Sequence, residues 1–146
     1  MNLKSLGRLA WLWEPVIVYA LFLVYLSTLT VAPWYYGVLS AYGGDKVLHV
    51  GAYFLLCLLS IRALNNGFDA RLRFTPIASA LVFSISFGLI EELQQAMIPG
   101  REASLWDFGA DVFGSLLAGG FWYLVSSASS LFGFFQYVND LEKERL

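Results

Sequence analysis

Residues 74–95 read FTPIASALVFSISFGLIEELQQ: Phe74 to Ile90 is free of Asp, Glu, Lys and Arg, and Glu91 and Glu92 close it abruptly. A helix needs about 20 mostly apolar residues to cross a bilayer. This run is near that length, so the two glutamates fall at a membrane boundary. Ionisable side chains at such depth are costly, and they usually serve a function. The stretch thus sets the fold class and points to a site.

The rest of the chain repeats the pattern. Pro15 to Gly44, Val47 to Ile61 and Val112 to Asn139 are also free of charge. Across 146 residues, 58% are hydrophobic and only 14% charged, too little polar surface for a soluble domain of this size. The reading is an all-α integral membrane four-helix bundle forming one domain over residues 1–146. Its spans are placed at about 13–33, 45–64, 74–97 and 105–126. Pro15 is expected in a first helical turn, where its missing N–H is harmless. Pro33, Trp34, Tyr35 and Tyr36 mark an interface. Gly43-Gly44 breaks the chain before the second span, and Asn65-Asn66-Gly67 reads as a turn after it. The aromatic stretch 131–138 reads as an interfacial tail. Lys4 and Arg8 before an apolar run resemble a signal sequence. That run is too long for one and lacks a cleavage site, so it reads as a retained anchor. A single Cys57 excludes an intrachain disulfide.

Lys and Arg are distributed unevenly. Lys4, Arg8, Arg62, Arg71, Arg73, Lys143 and Arg145 lie on one side of the spans, with only Lys46 and Arg101 on the other. The positive-inside rule then places both termini and the middle loop in the cytoplasm. The loops 34–44 and 98–104 would face outward.

Six of the eleven acidic residues gather at that outward end: Asp45, Glu91, Glu92, Glu102, Asp107 and Asp111. The only histidine, His49, stands among them. Helical spacing of about 100° per residue puts Asp45, Lys46, His49 and Tyr53 on one face, with Ser60 deeper. It does the same for Ser84, Gly88, Glu91, Glu92 and Gln95, and for Ser104, Asp107, Asp111, Gly114 and Ala118. Lipid cannot satisfy such stripes, so they should turn toward each other, with small residues at 88, 114 and 118 allowing close approach. Asp45-x-x-x-His49 and Asp107-x-x-x-Asp111 also form a faint repeat, of the parallel kind some transporters use.

Each residue also has a plain structural reading. Asp45 is placed as an N-cap, and Ser104-x-x-Asp107 has the form of a capping box. Lys46 can snorkel to headgroups, Tyr53 can pack at the interface, and Glu91 can be a solvated end charge. A lone histidine is more often a hydrogen-bonded packing residue than a ligand. Taken together these readings strain, because acids at one depth repel unless bases, protons or a cation compensate. Histidine and carboxylates suit zinc or manganese, though their spacing matches no established metal motif, so no cofactor is assigned. Arg101, after Pro99-Gly100, could grip a phosphate or carboxylate through both arms of its fork.

Asp45-Lys46-x-x-His49-x-x-x-Tyr53 resembles the start of the second helix in the VanZ-like family. Glu92-x-x-Gln95, Pro99-Gly100-Arg101, Ser104 and Asp107-x-x-x-Asp111 are similar, in order and spacing, to that family's long signature. The resemblance covers about residues 45–120, and many relatives carry Asn where this chain has Asp111. It implies a small multi-helix bacterial membrane protein and a setting that includes resistance to the glycopeptide teicoplanin. It implies no particular reaction.

The reading that follows is an outward polar pocket for a cell-envelope headgroup, either lipid-linked or a cell-wall precursor. His49, Glu92 and Asp107 are the candidates for acid–base work. Asp45, Lys46, Tyr53, Gln95, Arg101, Ser104 and Asp111 are the candidates for binding. Catalysis and plain binding are both compatible with these residues. The alternatives are a non-catalytic module that alters antibiotic access, and a small ion or lipid translocator. The expected partners are membrane lipid and a cell-wall precursor or glycopeptide. No nucleic-acid signal is present.

Overall fold

A computed structural model describes residues 3–29, 43–67, 74–99 and 103–144; for 3–5, 130–131 and 133–144 it describes the backbone alone. The described residues form four α-helices: α1 Leu3–Thr28, α2 Gly44–Leu64, α3 Phe74–Gln95 and α4 Leu105–Glu144. All four are long and apolar enough to cross a membrane, over Leu6–Thr28, Gly44–Leu64, Phe74–Gln95 and Leu105–Ser129. At 1.5 Å per residue, the 21 residues of α2 extend about 31 Å, close to the thickness of a hydrocarbon core. The chain is a multi-pass membrane protein. Its outer faces agree: Val18, Leu21, Val82, Ile90, Leu116 and Leu124 are all exposed. On a soluble protein such a surface would aggregate.

Helix α2 is the centre of the bundle. Its largest contact is with α4; α3 closes the triangle, and α1 lies against α2 and touches α3 less. The approach of α2 and α4 depends on Gly114. A Cβ there would land on the carbonyl oxygen of Val50. Gly88 plays a similar part on α3: a Cβ would come within 3.0 Å of the Tyr53 ring and 3.1 Å of Asp111 Oδ2. Ala118 is fully buried. These are the three small positions that the stripes singled out.

Toward the C-terminal end of α2 the core is mainly apolar, with Ser60, Arg62, Asn65 and Ser126 buried beside it. Cys57 and Ile61 of α2, Ile77 and Ala80 of α3, and Ala118 and Trp122 of α4 make one cluster. Leu12, Val16 and Ala63 join α1 to α2 at this end. Leu23, Tyr53 and Leu56 join the same helices nearer the other end.

Two expectations are revised. Helix α1 begins well before residue 13, and Pro15 lies inside it rather than in its first turn. The Arg62 guanidinium donates to the Leu12 carbonyl at 3.3 Å and lies 4.0 Å from the centre of the Trp11 ring. The helix ends at Thr28; the expected span end at 30–33, the aromatic marks at 34–36, Arg71, Arg73 and Arg101 lie outside the described residues. Stretch 131–138 continues α4 past its apolar span Leu105–Ser129. Asp45 is not the N-cap of α2. Gly43 is, with φ 66° and no side-chain cap, and Asp45 sits in the first turn.

The Asn65-Asn66-Gly67 turn forms as expected. Asn66 takes φ 62°, and the Gly67 N–H donates to the Arg62 carbonyl at 2.8 Å. This is the left-handed stop that frees α3 to return.

Adding a methyl at Gly114 forces α2 and α4 apart or displaces Val50. Gly114→Ala should lower stability by about 1–3 kcal/mol, the range for overpacking. Gly120→Ala, where a Cβ meets nothing within 4 Å, should be near neutral. Equilibrium unfolding in detergent micelles measures both.

Candidate functional site

The three polar stripes meet at the end of the bundle formed by the N-termini of α2 and α4 and the C-terminus of α3. Along α2, Asp45, His49 and Tyr53 occupy successive turns. Each meets a different partner.

At the mouth, the Lys46 ammonium donates to Asp45 Oδ2 at 2.8 Å and to Asp107 Oδ1 of α4. It bridges the first turns of two helices. A turn deeper, His49 Nδ1 and Asp111 Oδ1 are 2.8 Å apart. Asp111 is buried, with 1% of its side chain exposed, while His49 keeps 28%. Deeper again, the Tyr53 hydroxyl donates to Glu91 Oε2 at 2.6 Å, and both side chains are buried.

Glu92 does a different job. Its Oε2 accepts the Ser104 N–H at 2.7 Å, while Ser104 Oγ accepts the Asp107 N–H at 3.2 Å. Ser104 therefore caps α4 as its motif suggests. The reciprocal half of the capping box is supplied from another helix. In the usual box the acid three residues on reaches back to the cap N–H. Here Glu92 takes that N–H, which leaves Asp107 for Lys46. The cap thus also stitches α3 to α4.

Below the acids, Ser84 of α3 and Ser115 of α4 pair at 2.8 Å, and Ser115 also donates to the Asp111 carbonyl at 2.9 Å. Ser60 turns back to the Leu56 carbonyl of its own helix. The polar column then gives way to the Cys57–Trp122 cluster.

The structure therefore brings together Asp45, Lys46, His49, Tyr53, Glu92, Ser104, Asp107 and Asp111. Gln95 is half-buried on the same helix end and is tied to none of them by a described side-chain hydrogen bond. Arg101 and Glu102 lie outside the described residues. Glu91 is the correction. It is buried against Tyr53 rather than solvated at an interface. Its signal was present in the stripe Ser84, Gly88, Glu91, and was outweighed by its position at a span end. Ser115 was missed, because one serine in an apolar run carries no signal alone.

His49, Glu92 and Asp111 each offer a ligand atom within 4.8 Å of the others. Glu92 Oε1 and Asp45 Oδ1 are buried and have no hydrogen-bond partner among the described residues. A carboxylate oxygen buried without a donor is costly. The site combines a histidine held by a buried carboxylate, a bridging lysine and acceptor capacity to spare.

Comparison of the chain with protein-family models, with curated proteins and with solved structures finds no match to any of the three. The site's chemistry accordingly rests on its own geometry.

The Tyr53–Glu91 bond supplies a direct check on the buried polar layer. Tyr53→Phe removes the donor and leaves Glu91 Oε2 buried, which should cost about 1–3 kcal/mol. Adding Glu91→Leu removes the stranded acceptor, so the pair should cost less than the sum of the single changes. Unfolding of the four proteins in micelles provides the comparison.

Proposed function

We propose that this protein is a cell-envelope protein of the VanZ-like type. Its polar site opens on the outer side of the bacterial cytoplasmic membrane and acts on the phosphate-bearing headgroup of a lipid-linked cell-wall precursor. Support for the setting comes from the Lys/Arg asymmetry, which favours an outward site, and from the motif resemblance over residues 45–120. A protective role against a glycopeptide fits the same setting, since such antibiotics engage envelope precursors.

The observation that carries an acid–base reading is the His49–Asp111 pair. With the carboxylate accepting from Nδ1, the imidazole is held in one orientation and its Nε2 is left as a proton acceptor. Burial of Asp111 and partial exposure of His49 fit a base whose support is hidden and whose reactive edge is reachable. Glu92 and Asp107, offered by the sequence as further acid–base groups, are engaged with the Ser104 N–H and with Lys46. In this reading they position the site around His49. Arg101 supplies the bidentate anion contact, and Lys46, already shared by two carboxylates, contributes less than the sequence suggests. The column of apolar side chains beneath Ser84 and Ser115 disfavours a translocation path.

The test is to identify lipids that remain with the intact protein after gentle detergent extraction. The expected result is enrichment of a phosphate-bearing precursor lipid over bulk phospholipid, reduced at least tenfold in Arg101→Ala. His49→Gln should lose turnover. Bulk phospholipid alone in every sample would contradict the reading.

A further inference from the structure

The site holds more negative charge than its own residues balance. Asp45, Glu91, Glu92, Asp107 and Asp111 stand against one lysine and one imidazole among the described residues. In a low-dielectric bundle such an excess calls for a counter-charge. It is also a poor place for a phosphate, which the acids would repel.

We propose that His49, Glu92 and Asp111 form a binding site for a first-row divalent cation of the zinc or manganese class. Three observations converge on it. The three ligand atoms lie within 4.8 Å of one another. A metal about 2.1 Å from each ligand holds neighbouring ligand atoms about 3–3.5 Å apart. His49 Nδ1 and Asp111 Oδ1, at 2.8 Å, need only part slightly, and the Glu92 ligand atom is no more than 4.8 Å from either. Second, Glu92 is 5% exposed, and its Oε1 is buried with no partner. Its other oxygen is pinned by the Ser104 N–H, so the carboxylate is held in place with one atom unused. Third, one nitrogen and two carboxylate oxygens make a donor set suited to these ions rather than to calcium or magnesium, which take oxygen alone.

The cation enters between His49 and Asp111. Nδ1 ligates in its unprotonated form: the neutral ring takes the other tautomer, its single proton leaving Nδ1 to solvent while Nε2 takes one up. Two carboxylates then neutralise the ion's two charges. Three protein ligands leave a coordination position open, the arrangement of catalytic rather than structural sites. That position would hold a water or a phosphate oxygen, so an acidic pocket becomes able to receive an anion. With the ion present, the base is a metal-bound water in place of His49 Nε2. The cation's role toward phosphate rests on the headgroup reading above; its binding does not.

Because the chain has one histidine, the site can be watched through a single imidazole. The full chain, purified on a histidine-free tag, is labelled with ¹⁵N-histidine, stripped with chelator and titrated with Zn²⁺ in micelles without added lipid. A parallel titration uses Mn²⁺ and reads paramagnetic broadening. The expected result is a shift or broadening of the His49 nitrogens that saturates near one ion per chain, with micromolar or tighter affinity. Glu92→Gln keeps an oxygen for the Ser104 N–H and should weaken binding at least tenfold, as should Asp111→Asn. Cys57→Ala should titrate like wild type. Millimolar binding of both ions to the wild type would overturn the proposal without recourse to any variant. So would carboxylate variants that bind like wild type, or loss of binding in Cys57→Ala. If ion binding appears and the precursor lipid does not, the metal site stands and the headgroup reading falls.

Discussion

The interaction on which the rest depends is the closure of polar groups upon one another within an apolar bundle. A bilayer offers a carboxylate nothing, so an acid inside the bundle must find its partner there, and Glu91, Asp107 and Asp111 each find one on another helix. Asp111 shows the constraint most clearly. It lies two turns into α4 and is buried, and His49 of α2 meets it. Glu91 is met by Tyr53 and Asp107 by Lys46, so two further contacts fix the same pair of faces and the α2–α3 face. Together these bonds set which way each helix is rotated. The hydrophobic surface cannot do that, because lipid tails are as apolar as leucine.

Small residues make the closure possible. Hydrogen bonds of 2.6–2.8 Å between helices require backbones closer than large side chains allow. Gly114 against Val50, and Gly88 against Tyr53 and Asp111, provide that room. The polar stripe and the glycine stripe are therefore one feature: the glycines bring the helices together and the polar groups fix their register. The opposite end of the bundle works differently. There Leu12, Val16, Ile61, Ala80 and Trp122 pack in two apolar clusters, and Arg62 of α2 donates to the Leu12 carbonyl of α1.

Much of this was legible in the chain. Charge-free runs placed four spans, because bilayer thickness imposes a length that sequence displays directly. The polar faces were legible because helical periodicity is fixed. The partners were not. Nothing in Ser104-x-x-Asp107 shows that Glu92, twelve residues earlier, takes the backbone N–H that Asp107 would otherwise accept. Glu91 looked like an end charge because its depth depends on where α3 sits against α2, a tertiary fact. The start of α1 was misplaced because Pro15 is a strong local signal for a first turn, and the helix carries it in its interior. For the acids, local rules gave the face and long-range packing gave the partner.

The central claim is that the buried polar contacts, above all His49 with Asp111, hold α2 and α4 in register. A double-mutant cycle on His49→Gln and Asp111→Asn, with stability measured by reversible unfolding in micelles, tests it most directly. The account predicts a coupling energy of about 1–3 kcal/mol, as for other buried hydrogen bonds to charged groups. Additivity of the two changes to within about 0.3 kcal/mol, with both variants folded, would contradict it.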